Sequence, residues 1–140
     1  MMRIERVLET ALYVKDVNRA VEFYERVLGF SVLVKSAEPE RLVAMDVGGN
    51  HVLLLFKDGE TWRDVTLPGG KIPGFDGTGK GHTAFPIAAS ELAAWETRFA
   101  AFGIAVESRV AWERGGKSIY FRNPDGNLLE LATPGVWPTY

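Results

Sequence analysis

The feature that most limits what this chain can fold into is a pattern that occurs twice. Val7 to Val14 reads as a strand, with Glu9, Ala11 and Tyr13 on one face and Leu8, Leu12 and Val14 on the other. Asp16 is placed to cap a helix in which Val17, Ala20, Val21, Tyr24, Val27 and Leu28 recur at helical spacing, and Gly29 supplies the stop. Strands follow at Phe30 to Lys35, Arg41 to Val47 and His51 to Phe56, separated by residues 36–40 and by Gly48-Gly49-Asn50. The order then repeats. His82 to Ile87 is a strand, Ser90 is the expected cap of a helix striped by Leu92, Trp95, Phe99 and Phe102, and Gly103 ends it before strands at Ile104 to Ala111, Ser118 to Arg122 and Leu128 to Ala132. Gly103 follows Gly29 by 74 residues and His82 follows Glu9 by 73, so the landmarks of the two copies keep register. The expected fold class is therefore α+β, built from two βαβββ modules. Module 1 spans about residues 5–57 and module 2 about 80–134 of a single domain covering 1–140.

Between the modules, Lys57 to Gly81 is crowded with glycine and proline and carries Trp62 and Phe75 as its aromatic anchors. A connection of this length within a compact chain reads as a lid or substrate-facing wall, or else as a surface excursion.

The stretch Arg114 to Thr133 is a complete hairpin in sequence. Ser118 to Arg122 is rich in β-branched and aromatic residues, and Asn123-Pro124-Asp125-Gly126-Asn127 is turn chemistry, with proline presetting φ and glycine supplying φ > 0. On the returning strand Leu128 and Glu130 point one way while Leu129 and Leu131 point the other. A carboxylate among leucines is costly unless it has solvent, donors or a cation. A strand-edge glutamate facing water and a metal ligand are the two readings open for Glu130.

Glu9 and His82 bear on that choice, because each opens the first strand of its module. With Glu130 they make a set of one imidazole and two carboxylates on strand ends, suited to one divalent ion of the Mn, Fe, Co, Ni or Zn group with positions left for water or substrate. His51 opens a strand after Gly-Gly-Asn and is expected to face solvent, while its position near a possible fourth ligand keeps it a candidate.

Composition removes other classes. The net charge of -2 offers no basic stripe for a phosphate backbone, so nucleic acid is not an expected partner. With no cysteine there is no disulfide framework, thiolate zinc site or cysteine nucleophile. Met1 to Arg6 lacks the apolar run of a secretory signal and no segment has the length of a membrane span, which makes a cytoplasmic protein without membrane partners the expectation.

Three groups of residues together resemble the vicinal oxygen chelate superfamily, which includes glyoxalase I, bleomycin-resistance proteins, fosfomycin-resistance enzymes and extradiol dioxygenases. They are Leu12-Tyr13-Val14-Lys15-Asp16-Val17 leading to Ala20-Val21-Glu22-Phe23-Tyr24 and Val27-Leu28-Gly29-Phe30; Gly81-His82-Thr83-Ala84-Phe85; and Tyr120-Phe121-Arg122-Asn123-Pro124-Asp125-Gly126-Asn127-Leu128-Leu129-Glu130-Leu131. The resemblance covers almost the whole chain. It implies a cup-shaped mixed sheet with a metal inside, in which Glu9 stands where most members have the first histidine, His82 matches the second-module histidine and Glu130 the final glutamate. Glu9 is a departure that makes the site more anionic. Glyoxalase I-like members place a fourth ligand on the last strand of the first module, where this chain has Leu53, Leu54 and Leu55. The resemblance therefore implies a three-ligand site rather than glyoxalase I in the strict sense.

Ser118 and Tyr120 before Asn-Pro-Asp-Gly resemble the substrate-side strand of fosfomycin-modifying enzymes, with Arg122 on the same face, Arg114 and Lys117 nearby as a cationic pair, and Trp112 and Trp137 as an apolar wall. An ordinary amphipathic strand with a charged loop is the other reading. The function implied is a metal-dependent lyase, transferase or dioxygenase acting on a small substrate with vicinal oxygens, with Glu9 or Glu130 doubling as proton acceptor. A metal-free binding protein of the bleomycin-resistance kind is the alternative, as is a fosfomycin-resistance-like transferase or hydrolase. Short members commonly act as homodimers, which makes a homodimer with sites shared between chains the expected assembly.

Overall fold

The structure is a computed structural model that describes residues 1–37, 41–77 and 79–140. Part of the expected 36–40 connection and residue 78 of the long connection lie outside the described residues. The chain divides into two compact units, Met1–Gly79 and Lys80–Tyr140, and each carries one βαβββ module.

In the first unit β1 is Glu9–Val14, α1 is Val17–Phe23, β2 is Ser31–Lys35, β3 is Leu42–Val47 and β4 is His51–Lys57. The sheet order is β1-β4-β3-β2, with β1 parallel to β4 and the other pairs antiparallel. Asp16 caps α1 as expected, accepting from the Arg19 N–H at 3.0 Å. The helical path continues as one wider π-helical turn over Tyr24–Leu28 and stops at Gly29, whose φ of 75° is a conformation that glycine adopts without cost. The face of β1 that carries Leu12 and Val14 is buried, together with Val43, Met45, Leu53 and Leu55 and with Val17, Val21, Tyr24 and Leu28 from the helical segment. Leu8, expected inside, lies before the strand and is exposed.

The connection that reads as pure loop holds a small antiparallel hairpin, β5 (Val65–Leu67) with β6 (Gly70–Ile72). Its three-residue strands are too short to show a period against so much glycine and proline. The connection is docked on its own unit. The Thr61 hydroxyl lies 2.7 Å from the Tyr13 phenol and donates to the Phe75 carbonyl at 2.6 Å, while the Phe75 ring meets Phe56 edge-on at 5.3 Å. Thr61 and Phe75 thus tie this part of the connection to β1 and β4.

In the second unit β7 is His82–Pro86, α2 is Leu92–Ala101, β8 is Ser108–Ala111, β9 is Lys117–Arg122 and β10 is Leu128–Ala132. The order β7-β10-β9-β8 repeats the first sheet, with β7 parallel to β10. Ser90 is not the cap that the sequence suggests. A short 3-10 turn over Ala89–Glu91 leads into α2, and neither helical start has a side-chain cap. Of the expected stripe only Phe99 is fully buried, against Phe121 at 4.5 Å between ring centres, while Phe102 is exposed beneath the Arg98 guanidinium. Burial of one such ring contributes about 1.5–3 kcal/mol, and the Phe99–Phe121 contact ties α2 to its sheet. No helix among the described residues is long and apolar enough to cross a membrane.

Candidate functional site

The second sheet has two unlike faces. Phe85, Leu129, Leu131, Ile119 and Phe121 are buried on the side that α2 covers. Alternation and register put His82, Leu128, Glu130, Tyr120, Ser118 and Arg122 on the other. Glu130 is not a strand-edge glutamate facing water. Its strand lies between β7 and β9, and the residue is 6% exposed.

A carboxylate so buried needs partners, and the sheet supplies them. The Ser118 hydroxyl donates to Glu130 Oε1 at 2.5 Å, and Tyr120, directly opposite Glu130 in the register, hydrogen-bonds to it as well. Burial pushes the Tyr120 phenol up, and the charge of Glu130 and the bond to it add to the shift. His82 Nε2 lies 3.3 Å from Glu130 Oε2, while Nδ1 lies 3.0 Å from the Leu128 carbonyl. A carbonyl only accepts, so Nδ1 carries a proton and Nε2 is the ring nitrogen turned towards the carboxylate. Between Nε2 and the carboxylate oxygen a proton or a metal cation can sit, the first giving an ion pair and the second a two-ligand contact. A ring nitrogen held by a backbone carbonyl is also the usual way to aim a histidine at a metal.

The raised Tyr120 phenol has a consequence for stability. A group whose folded pKa lies above its unfolded value favours the fold fully below pH 10.0, and that contribution is lost as pH rises through the raised value. Thermal midpoints of the wild type should therefore fall more steeply above pH 10 than those of Tyr120→Phe. Parallel curves for the two proteins would show that Tyr120 ionises equally in both states.

The first unit repeats the geometry without the chemistry. Glu9 pairs with Val52 as His82 pairs with Leu128, so the two residues hold the same register place in their modules. Ala11 pairs with Leu54 as Ala84 pairs with Glu130, which makes Leu54 the counterpart of the carboxylate. Glu9 is exposed. His51 does not simply face solvent. It is half-buried, with Nδ1 donating to the Val7 carbonyl at 3.1 Å and Nε2 2.9 Å from the Thr10 hydroxyl. Among the described residues no three His, Asp or Glu side chains are grouped so as to hold a metal ion.

The other expected site residues fare unequally. Ser118 is 1% exposed and donates its hydroxyl to Glu130, which makes it a support of that carboxylate. Arg122 shares the face of Glu130, but its guanidinium forms a two-point ion pair with Glu107 at 2.8 and 3.0 Å and donates to the Gly126 carbonyl. Lys117 alternates to the opposite side from Ser118, and Arg114 is exposed on the β8–β9 turn, so the two do not form a cationic pair on the Glu130 face. Trp112, also exposed, donates its indole N–H to Ser118 Oγ at 2.8 Å, and Trp137 is exposed on the C-terminal segment. Glu107 is the residue that sequence reasoning missed. No local pattern announces an acid that pairs across the sheet.

The sequence pattern of the Glyoxalase/Bleomycin resistance protein/Dioxygenase superfamily matches residues 6–131. The chain belongs to this superfamily. Relatives within it include a metallothiol transferase FosB of Shouchella clausii, 31% identical over 122 residues that make up 86% of this chain and 74% of that protein. A lactoylglutathione lyase of Haemophilus influenzae is 29% identical over 130 residues, 90% of each chain. Among solved structures, a lactoylglutathione lyase from Agrobacterium tumefaciens superposes with a TM-score of 0.86 at 35% identity, covering 98% of this chain and 99% of the other. The superfamily architecture accounts for the repeated β-α-β-β-β order and for the parallel pairing of the first and last strand in each module.

Proposed function

We propose that this chain is a metal-dependent enzyme of the superfamily, with His82, Glu130 and Glu9 as the ligands of one divalent ion and a small molecule with vicinal oxygens as substrate. The observation that carries the reading is the approach of His82 Nε2 to Glu130 Oε2 at 3.3 Å, with the remaining ring nitrogen held by the Leu128 carbonyl. This donor set fits a first-row ion, and its carboxylates lean towards Mn(II). When bound, such an ion supplies Lewis-acid polarisation of a substrate oxygen. The rest falls to the protein. Ser118 fixes the Glu130 carboxylate through Oε1, and Tyr120 retains its proton and stands beside Glu130 as a hydrogen-bond donor. Glu9, exposed at the start of β1, supplies a second carboxylate and so a candidate proton acceptor. His82 and Glu130 lie in one unit and Glu9 in the other, and we place the complete set in a homodimer that shares its sites.

Group transfer to a small substrate is the reaction class favoured within this reading. Leu54 occupies the register place where a fourth carboxylate would stand, which leaves a three-ligand site with more positions open to an oxygen-rich substrate. The similarity to metallothiol transferases points the same way.

The test is titration of untagged protein, prepared without chelators, with Mn(II), Co(II), Ni(II) and Zn(II), followed by calorimetry. One ion per chain is expected. Failure to bind any of the four would overturn the reading in favour of a metal-free binding protein.

A further inference from the structure

The Trp112 indole makes a hydrogen bond that its exposed position does not suggest. The residue is 37% exposed, yet its N–H donates at 2.8 Å to Ser118 Oγ, an atom of a residue only 1% exposed. A serine hydroxyl has one proton and a freely turning rotor. With the indole N–H occupying a lone pair of Oγ, the hydroxyl proton is directed away from Trp112 and lies in the 2.5 Å bond to Glu130 Oε1. The chain of donors runs Trp112 to Ser118 to Glu130 and ends on a carboxylate. Each bond polarises the next, and a donor that itself accepts a hydrogen bond becomes a stronger donor. The result is a carboxylate with its two oxygens distinguished. Oε1 is held by Ser118 and Oε2 is the oxygen that faces His82, while Tyr120 hydrogen-bonds to the same carboxylate.

The backbone around Trp112 is fixed. The Trp112 N–H donates to the Gly116 carbonyl and the Gly115 N–H to the Trp112 carbonyl, both at 2.9 Å, which closes a tight turn between β8 and β9. That turn is clamped to the C-terminal segment, where the Gly116 N–H donates to the Gly135 carbonyl and Lys117 and Thr133 exchange hydrogen bonds. A Cβ on Gly116 would fall 2.5 Å from the Gly135 carbonyl carbon, so the approach requires glycine. An exposed aromatic held by so many main-chain bonds is not a loose surface residue.

The geometry points to Trp112 as a positioning residue, which acts through Ser118 to present Glu130 as a one-oxygen ligand through Oε2. This assignment rests on the metal-dependent reading above. It differs from the substrate-wall role that the sequence suggests for Trp112, and it gives the indole an effect on metal affinity without contact with metal or substrate.

The experiment is a double-mutant cycle on Mn(II) affinity, measured by calorimetry on the full chain with Trp112→Phe, Ser118→Ala and the double variant. Ser118→Ala removes the partner of Oε1 directly and should weaken binding roughly 10- to 100-fold, as loss of a carboxylate's supporting bond typically does. Trp112→Phe keeps the ring and should weaken it roughly 3- to 10-fold, the effect of one ordinary hydrogen bond. In the Ser118→Ala background the Trp112→Phe change should have no further effect on affinity, because its route to Glu130 is already cut. Thermal midpoints of the metal-free proteins are read alongside. An indole with a merely structural role would lower the midpoint of Trp112→Phe and leave affinity at the wild-type value, which overturns the inference. Additive effects in the double variant overturn it too. A wild-type protein that binds no Mn(II), Co(II), Ni(II) or Zn(II) overturns the metal-dependent reading and this assignment together, whereas wild-type binding with an unchanged Trp112→Phe affinity overturns the assignment alone.

Discussion

Glu130→Gln should cut divalent-metal affinity by roughly 100-fold or more while leaving the protein folded, since loss of a ligand ought to exceed the 10- to 100-fold typical of its supporting partners. Glutamine has nearly the same shape as glutamate, and its carbonyl oxygen can still accept from Ser118, so that buried hydroxyl keeps its acceptor. What changes is charge. His82 Nε2 then faces a neutral amide, and a neutral amide is a far weaker partner for a cation than a carboxylate. The contrast with Glu130→Ala separates fold from chemistry. Alanine removes the acceptor altogether and leaves the Ser118 hydroxyl buried without its partner, a loss of about 1–3 kcal/mol in addition to the loss of metal. Calorimetric titration with Mn(II) beside thermal melts reads both effects. Near wild-type affinity in Glu130→Gln would remove Glu130 from the ligand set.

These two substitutions also mark where the sequence was informative and where it was not. The helix stops at Gly29 and Gly103 were legible because a glycine just past a helical stripe takes up, at little cost, the positive φ on which helices commonly end. The faces of the strands were legible for a similar reason: parity alone puts Glu130, Tyr120 and Ser118 on one side and Leu129, Leu131, Ile119 and Phe121 on the other. Parity does not say which strand is inner. The difference between a solvated glutamate and one that is 6% exposed lies in the order β7-β10-β9-β8, which is set by pairing between distant segments. Arg122 shows the same limit. Its face was read correctly, but its partner Glu107 lies 15 residues away across the β8–β9 pairing, and no local spacing connects them. Ser90 failed as a cap because Ala88 already turns the chain, and a 3-10 turn beginning at Ala89 carries Ser90 past the capping position. The matched register of the two repeats picked out the ligand candidates and the resemblance to the superfamily agreed, whereas the role of Ser118 emerged only from its burial and hydrogen bonds.

Co-purified heterodimers of Glu9→Ala and His82→Ala chains should regain metal binding that neither homodimer has. His82 and Glu130 share one unit and are in contact, while Glu9 belongs to the other unit and holds the register place equivalent to His82. If sites are shared, Glu9 of one chain joins His82 and Glu130 of its partner. A heterodimer then contains one site with its full set, built from the intact Glu9 of the His82→Ala chain and the intact His82 of the Glu9→Ala chain. Its second site lacks both residues. Random mixing makes about half of the dimers mixed, so roughly a quarter of all sites should bind, and purified heterodimers should bind one ion per two chains. Under the metal-dependent reading, loss of Glu9 or His82 removes a ligand without disturbing packing, because both side chains are exposed and neither contributes to the apolar core. The single variants should therefore fold and pair as the wild type does, which makes recovery in the mixture interpretable. Self-contained sites, in a monomer or in a dimer, give a different result: every chain in the mixture then lacks one of its own ligands, and binding stays at the level of the inactive parents.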